Sequence, residues 1–173
     1  MGTVTLITGG ARSGKSAHAL TLAQQAPGGR RFFVATAEAL DDEMRARVAH
    51  HRASRSDDFV TIEEPLAIIA ALLDLGSRAD VVVVDCLTLW ISNLLTARPS
   101  DEDILAEARR LAGILAGAPF ASIVVTGEVG DGIVPENASA RRFRDLLGWT
   151  NQVVAQSAER VLLMVAGYPL RVK

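Results

Sequence analysis

Cysteine is almost absent from this sequence of 173 residues, since Cys86 is the single example. One thiol forms neither an internal disulfide nor a cysteine-based metal cluster. A lone cysteine fits a reducing compartment, and the first residues lack the basic start and cleavage site of a signal peptide. We therefore expect a cytoplasmic protein.

Aromatic residues and excess charge are also scarce. Aromatic residues make up 5% of the chain, which disfavours stacking platforms for single-stranded nucleic acid. The formal net charge is −2, so no overall positive field attracts nucleic acid or an anionic membrane. No apolar stretch reaches the roughly 18–20 residues that cross a bilayer. These absences predict a protein with no nucleic acid partner and no membrane insertion.

What remains is the composition of a compact globular chain. Hydrophobic residues make up 49% and charged residues 22% of the sequence, which is ordinary for a folded domain. The length suits one domain with a large shared core. No repeat, low-complexity tract or linker divides the chain, so residues 1–173 are predicted to form a single domain.

Strands and helices are predicted to alternate along the chain. Apolar and β-branched runs predict strands at 3–8, 31–36, 79–85, 121–126 and 160–165, with a possible short edge strand at 169–173. Helical periodicity and helix-end signals predict helices from about 14 to 25 and at 40–55, 65–75, 101–116 and 139–159. This order predicts an α/β fold: a mostly parallel sheet with helices on both faces.

A complete phosphate-binding motif follows the first predicted strand and opens a helix. Its glycines let backbone N–H groups point at phosphate oxygens, and the helix start adds a positive end. Lys15 is expected to reach the β- and γ-phosphates, and the Ser16 hydroxyl to ligate Mg²⁺. The motif predicts a P-loop NTPase fold; a chance glycine-rich turn is the competing interpretation. The loop comprises Gly9, Gly10, Ala11, Arg12, Ser13, Gly14, Lys15 and Ser16.

Asp85 ends the most apolar run of the sequence, Val81 to Val84. A carboxylate at the carboxyl end of a buried strand lies where open α/β sheets bind ligands. The functional interpretation is a Mg²⁺ ligand, direct or through water, that acts together with Ser16. The alternative is an aspartate that caps a helix beginning near Leu87.

Two adjacent histidines, His50 and His51, lie in an arginine-rich segment. On a helix, Arg47, His51 and Arg55 share one face because they are four residues apart, and His50 points about 100° away. Guanidinium groups neutralise a phosphate and keep a nearby imidazole neutral, hence nucleophilic. A solvated basic helix face is the competing interpretation of this segment.

Several sequence blocks together resemble the bifunctional adenosylcobinamide kinase / adenosylcobinamide-phosphate guanylyltransferase family. The loop block is generic, whereas DDEM…HR, DCLTLW and EVG-x-GIVPEN are far more specific. The resemblance covers essentially the whole chain. The segment before EVG departs from the family pattern, since an asparagine is usual where this chain has Thr126-Gly127-Glu128. The blocks are GGARSGKS, VATAEALDDEMRARVAHHRASR, TIEEP, VVVVDCLTLWISNLL, EVGDGIVPENASARRFRD and PLRVK.

This resemblance implies an enzyme of cobalamin biosynthesis with two activities. A nucleoside triphosphate, ATP or GTP, phosphorylates adenosylcobinamide with Mg²⁺. GTP then donates GMP to adenosylcobinamide phosphate through a covalent histidine–GMP intermediate, giving adenosylcobinamide-GDP and pyrophosphate. The resemblance also implies a homotrimer.

The resemblance also assigns site residues. The family pattern R-x-x-x-H-R falls on Arg47 to Arg52, which makes His51 the expected nucleophile and His50 the neighbouring fallback. Lys15 is the second expected catalytic residue. The remaining nucleotide contacts, carried over motif by motif, are Ala35, Thr36, Ala37, Arg52, Ala53, Ser54, Arg55, Glu63 and Asp85.

Two other functions fit the loop itself, because one fold supports many reactions. The first is a small-molecule P-loop kinase without nucleotidyl transfer, in which the histidine segment only binds phosphate. The second is a nucleotide-dependent switch or assembly ATPase with no small-molecule acceptor.

Overall fold

The computed structural model describes residues 2–38, 58–97 and 100–173. Within these residues the strands are β1 (Val4–Gly9), β2 (Arg31–Ala35), β3 (Phe59–Glu63), β4 (Val81–Asp85), β5 (Ala121–Val125), β6 (Arg160–Val165) and β7 (Tyr168–Arg171). The helices are α1 (Lys15–Gln25), α2 (Ile68–Leu75), α3 (Leu87–Ala97), α4 (Asp101–Gly117) and α5 (Ala138–Ser157).

The described strands form one seven-stranded sheet in the order β3-β2-β4-β5-β1-β6-β7. Every neighbouring pair from β3 to β6 is parallel, and β7 alone pairs antiparallel, with β6. The predicted mostly parallel sheet and its short antiparallel edge strand are confirmed. Because the six parallel strands run the same way, their carboxyl ends lie along one edge, called here the carboxyl edge.

Helices cover both faces of the sheet, as predicted. On one face Ala19 and Ala23 of α1 pack with the strand side chains Val83 and Ile123. On the other face α2, α3, α4 and α5 share a larger core with alternate strand residues such as Val82. The small alanines of α1 allow close approach to the sheet, and strands covered on both faces explain the unbroken apolar run in β4.

One strand and one helix boundary differ from the sequence predictions. Strand β3 was not predicted, because four of its five side chains are not buried and its apolar pattern is therefore weak. Helix α2 begins at Ile68 rather than at residue 65, because the Glu64 carboxylate accepts the N–H groups of Leu66 and Ala67 in a preceding turn. The helix predicted at 40–55 lies outside the described residues.

One large side chain connects helix α3 to the turn that precedes α2. Trp90 is fully buried, and its indole N–H donates to the Leu66 carbonyl over 2.9 Å. A buried indole needs such a partner because an unpaired N–H is costly away from water. In the part of the chain that the structure describes, no helix has the length and apolarity to cross a membrane.

Two adjacent leucines of α2 test this packing directly. Leu72 is 1% exposed, whereas Leu73 is 54% exposed. Leu72→Ala is expected to lower the free energy of unfolding by about 2–5 kcal/mol, because it leaves a cavity in the larger core. Leu73→Ala is the matched control and should change it by about 0.5 kcal/mol or less. Denaturant unfolding of both variants measures the difference, and equal effects would contradict the described packing.

Candidate functional site

The phosphate-binding motif forms the turn between β1 and α1. Gly9 ends β1 with φ 145°, and Gly14 precedes α1 with φ 92°, both in the region that favours glycine. Arg12 also has a positive φ, 56°. No side chain of the described residues caps the N-terminus of α1. The first-turn N–H groups of α1 therefore face the loop, as an anion-binding helix start requires.

The turn between β6 and β7 supports the loop from behind. The N–H of Gly167 donates to the Ser13 carbonyl over 3.0 Å. A Cβ on Gly9 would lie 2.6 Å from the Met164 carbonyl oxygen, and a Cβ on Gly14 would lie 3.2 Å from the Gly167 Cα. The two motif glycines are thus required by backbone contact with β6 and its turn as well as by conformation.

The Lys15 side chain makes hydrogen bonds within the phosphate loop. Its Nζ donates to the carbonyls of Gly9 and Gly10, at 2.9 and 2.6 Å, and lies 3.4 Å from the Ser13 hydroxyl. Burial lowers the pKa of Lys15, and nearby Cys86, Asp85 and Glu128 oppose that shift. The ammonium is therefore poorly solvated and lies near the carboxylates of Asp85 and Glu128. A bound phosphate would give it charge-assisted hydrogen bonds.

Three of the predicted nucleotide contacts share one row of the sheet. Glu63 pairs with Ala35, and Ala35 pairs with Asp85 on its other side. This row crosses the ends of β3, β2 and β4 at the carboxyl edge. The register therefore brings together residues that are up to 50 positions apart in the sequence, on the side of the sheet where open α/β proteins bind ligands.

Hydrogen bonds fix the residue that follows β2. The Thr36 hydroxyl donates to the Cys86 carbonyl and accepts the Cys86 N–H, each over 2.7 Å. The Asn93 side-chain amide donates to the carbonyls of Thr36 and Pro65, at 2.9 and 3.0 Å. Asn93 thus joins the ends of β2 and β3 to α3, and neither its role nor that of Cys86 was predicted.

A second fixed segment follows β5. The Gly127 N–H donates to the Thr88 hydroxyl over 2.8 Å, and Asn151 donates to the Gly127 carbonyl over 3.1 Å. Glu128 accepts the Thr8 hydroxyl, and its own N–H donates to the Gly9 carbonyl over 3.1 Å. No role was predicted for Glu128, although it is the first residue of the EVG-x-GIVPEN block that resembles the family.

The donor set fits a hard divalent cation such as Mg²⁺. Ser16 offers a hydroxyl in the first turn of α1, and Asp85 offers a carboxylate close enough to oppose the lowering of the Lys15 pKa by burial. Oxygen ligands of this kind are those that Mg²⁺ prefers. Cys86 is unsuited to the task, because burial and the Asp85 charge raise its pKa to about 11 and keep the thiol protonated.

The histidine segment lies outside the described residues. His51, its fallback His50 and the predicted contacts Arg52, Ala53, Ser54 and Arg55 all fall in residues 39–57. The described chain stops at Glu38, just beyond the row formed by Ala35 and its neighbours, and resumes at Asp58. The roles of these residues stay predictions.

Comparison with known proteins agrees with the family resemblance of the sequence motifs. A family model described as cobinamide kinase / cobinamide phosphate guanyltransferase, CobU, matches residues 5–172. The bifunctional adenosylcobalamin biosynthesis protein CobP of Pseudomonas aeruginosa is 42% identical over 168 residues, covering 97% of this chain and 96% of its own. The corresponding CobU protein of Escherichia coli K12 is 37% identical over 180 residues, covering 97% and 98%.

Solved structures support the fold. The chain resembles the crystal structure of the RadB recombinase with a TM-score of 0.54 and 18% identity, covering 93% of this chain and 73% of that one. At this identity the likeness concerns the fold alone, and it agrees with an α/β P-loop fold. With the family model matching nearly its whole length, the chain belongs to the cobinamide kinase / cobinamide phosphate guanyltransferase family.

Proposed function

We propose that this protein phosphorylates adenosylcobinamide with a nucleoside triphosphate and then transfers GMP from GTP to the resulting phosphate. The products of the second step are adenosylcobinamide-GDP and pyrophosphate. The observation that carries this proposal is the family match over residues 5–172, which includes a complete phosphate loop at the carboxyl edge. The names of the relatives, which are bifunctional adenosylcobalamin biosynthesis proteins, support it.

The kinase step uses the loop residues. The N–H groups at the start of α1 bind phosphate oxygens, and Lys15 turns from the loop carbonyls of Gly9 and Gly10 to the β- and γ-phosphates. Ser16 and Asp85 would hold Mg²⁺, and the bound ion would supply charge neutralisation for phosphoryl transfer. Support for these roles comes from the burial of Lys15 and from Asp85 beside it.

The second step uses the histidine segment. The neutral imidazole of His51 attacks the α-phosphorus of GTP, a P–N bond forms, and pyrophosphate leaves. An oxygen of the substrate phosphate then attacks the same phosphorus and releases His51. Dividing the transfer into two displacements gives the reaction a covalent intermediate, and Arg47, Arg52 and Arg55 neutralise the phosphates.

The nucleotide is held at the row of strand ends. Ala35 ends β2, and Thr36 and Ala37 follow it. Hydrogen bonds with Asn93 and Cys86 support the Thr36 backbone and hydroxyl. Glu63 lies in the same row and is suited to a ribose hydroxyl or the guanine edge, where a carboxylate accepts N–H or O–H donors.

The finer properties belong to the same proposal. We expect ATP or GTP in the kinase step, a cytoplasmic location, no nucleic acid partner, and a homotrimer. Exposed apolar side chains on and beside β7 support a subunit contact, since such groups are often covered by a partner. They are Val165, Tyr168, Leu170 and Val172.

Labelling with GTP tests the covalent step. Incubation with α-labelled GTP and Mg²⁺ is expected to give a protein adduct that survives base and is lost in acid, as a phosphoramidate does. His51→Ala should abolish the label, and His50→Ala is the matched control that should retain it. An unlabelled wild type would refute the guanylyl transfer and favour a small-molecule kinase without nucleotidyl transfer. Full labelling of both variants would refute His51 as the nucleophile.

Lysine substitution tests the phosphate loop, and the chain offers its own control. Its only lysines are Lys15 and Lys173. Lys15→Met is expected to reduce kcat of cobinamide phosphorylation by about a hundredfold to a thousandfold, because the charge that stabilises the transferred phosphoryl group is lost. Lys173 instead donates to the carbonyls of Ala155 and Gln156 near the end of α5. Lys173→Met should keep near-normal kcat, and equal losses would contradict the assigned role.

A further inference from the structure

Glu128 has a fixed carboxylate that neither proposed step has used. It lies three residues beyond the end of β5, and β5 lies between β4, which ends in Asp85, and β1, which leads into the phosphate loop. Burial lowers the pKa of Lys15, and the negative charge of Glu128 opposes that shift. The topology therefore places Glu128 at the carboxyl edge, between the proposed metal ligand and the phosphate loop.

The neighbouring elements hold this carboxylate in one position. The Glu128 backbone N–H donates to the Gly9 carbonyl over 3.1 Å, and Oε1 accepts the Thr8 hydroxyl. Thr88 of α3 and Asn151 of α5 fix the preceding residue, Gly127, on both of its backbone polar groups. Among the described residues, the second carboxylate oxygen, Oε2, has no hydrogen-bond partner. One oxygen thus orients the group, and the other is available to accept a proton.

A carboxylate at this position weakens the binding of a negatively charged ligand. A triphosphate brings several negative charges to the loop, and a fixed negative charge nearby opposes its binding. A glutamine would accept the Thr8 hydroxyl equally well without that repulsion. The charge offsets part of the cost of burying Lys15, and a carboxylate with one oxygen that has no hydrogen-bond partner among the described residues also has the chemistry of a base.

We propose that Glu128 is the catalytic base of the kinase step, an inference that rests on the function proposed above. The acceptor hydroxyl oxygen attacks the γ-phosphorus while its proton passes to the Glu128 carboxylate. The new O–P bond forms as the bond between the γ-phosphorus and the β,γ-bridging oxygen breaks, and the nucleoside diphosphate leaves. The carboxyl group then releases the proton to solvent. Lys15, beside it, stabilises the charge on the phosphates.

The second step makes no demand on this base. Its first nucleophile is a neutral imidazole, and its second is a phosphate monoester that is already ionised near neutral pH, with a second pKa of about 6. Neither nucleophile needs to lose a hydroxyl proton. A base that serves only the hydroxyl acceptor is therefore expected to matter for one of the two activities.

Glu128→Gln separates the two steps, because it keeps the bond from Thr8 and removes the charge. The kcat of cobinamide phosphorylation is expected to fall by about 10²–10⁴-fold. Labelling of the protein by α-labelled GTP should stay within about twofold of wild type, nucleotide affinity should be equal or tighter, and the Mg²⁺ dependence of labelling should be unchanged. Glu102→Gln, an exposed carboxylate of α4, is the matched control and should behave as wild type.

Each contrary result has a distinct meaning. Near-normal phosphorylation by Glu128→Gln would overturn the base assignment, as would a parallel loss of GTP labelling or a raised Mg²⁺ requirement, which indicate a metal or structural role. Glu128→Asp keeps the charge and should retain at least about ten times the kcat of the glutamine variant; equal losses would also overturn it. Failure of the wild type to phosphorylate cobinamide would instead refute the proposed function, and the base assignment with it.

Discussion

Parallel pairing in register is the constraint on which the candidate site depends. Glu63, Ala35 and Asp85 are brought into one row because β3, β2 and β4 run in the same direction with matched ends. The same arrangement brings the end of β5 beside the end of β1, from which the phosphate loop begins. Shifting one strand by a residue would turn its side chains to the opposite face and would separate these groups.

Charge balance around Lys15 gives the edge of the sheet its chemical character. Partial burial makes the ammonium costly, and nearby Asp85 and Glu128 reduce that cost. Loop carbonyls supply its hydrogen bonds. This arrangement surrounds the ammonium group with oxygen acceptors in a partly buried site, where electrostatic interactions are stronger than in water.

The parts of the molecule that were predictable from sequence are those with local causes. The phosphate loop has a fixed residue spacing, and β4 is an unbroken apolar run, so both can be predicted from the sequence alone. Strand β3 lacks such a pattern because most of its side chains are not buried, and its pairing with β2 defines it. Its run of Phe59, Val60, Thr61 and Ile62 has strand propensity, which was the available signal.

The hydrogen bonds that support the candidate site could not be predicted from the sequence, for a different reason. Thr36 and Cys86 are separated by 50 positions, and Thr8 and Glu128 by 120. Nothing in a local pattern pairs such residues, because their proximity results from the strand order. The backbone contact between Ser13 and Gly167 has the same origin.

That contact has a consequence for how the protein matures. The glycines of the loop pack against Met164 and Gly167, which are synthesised about 155 residues after Gly9. A chain emerging from the ribosome therefore has its first strand and loop long before the backbone that supports them. The backbone contacts that support the loop are therefore completed only when β6 and its turn to β7 are in place, although the motif itself is translated earlier.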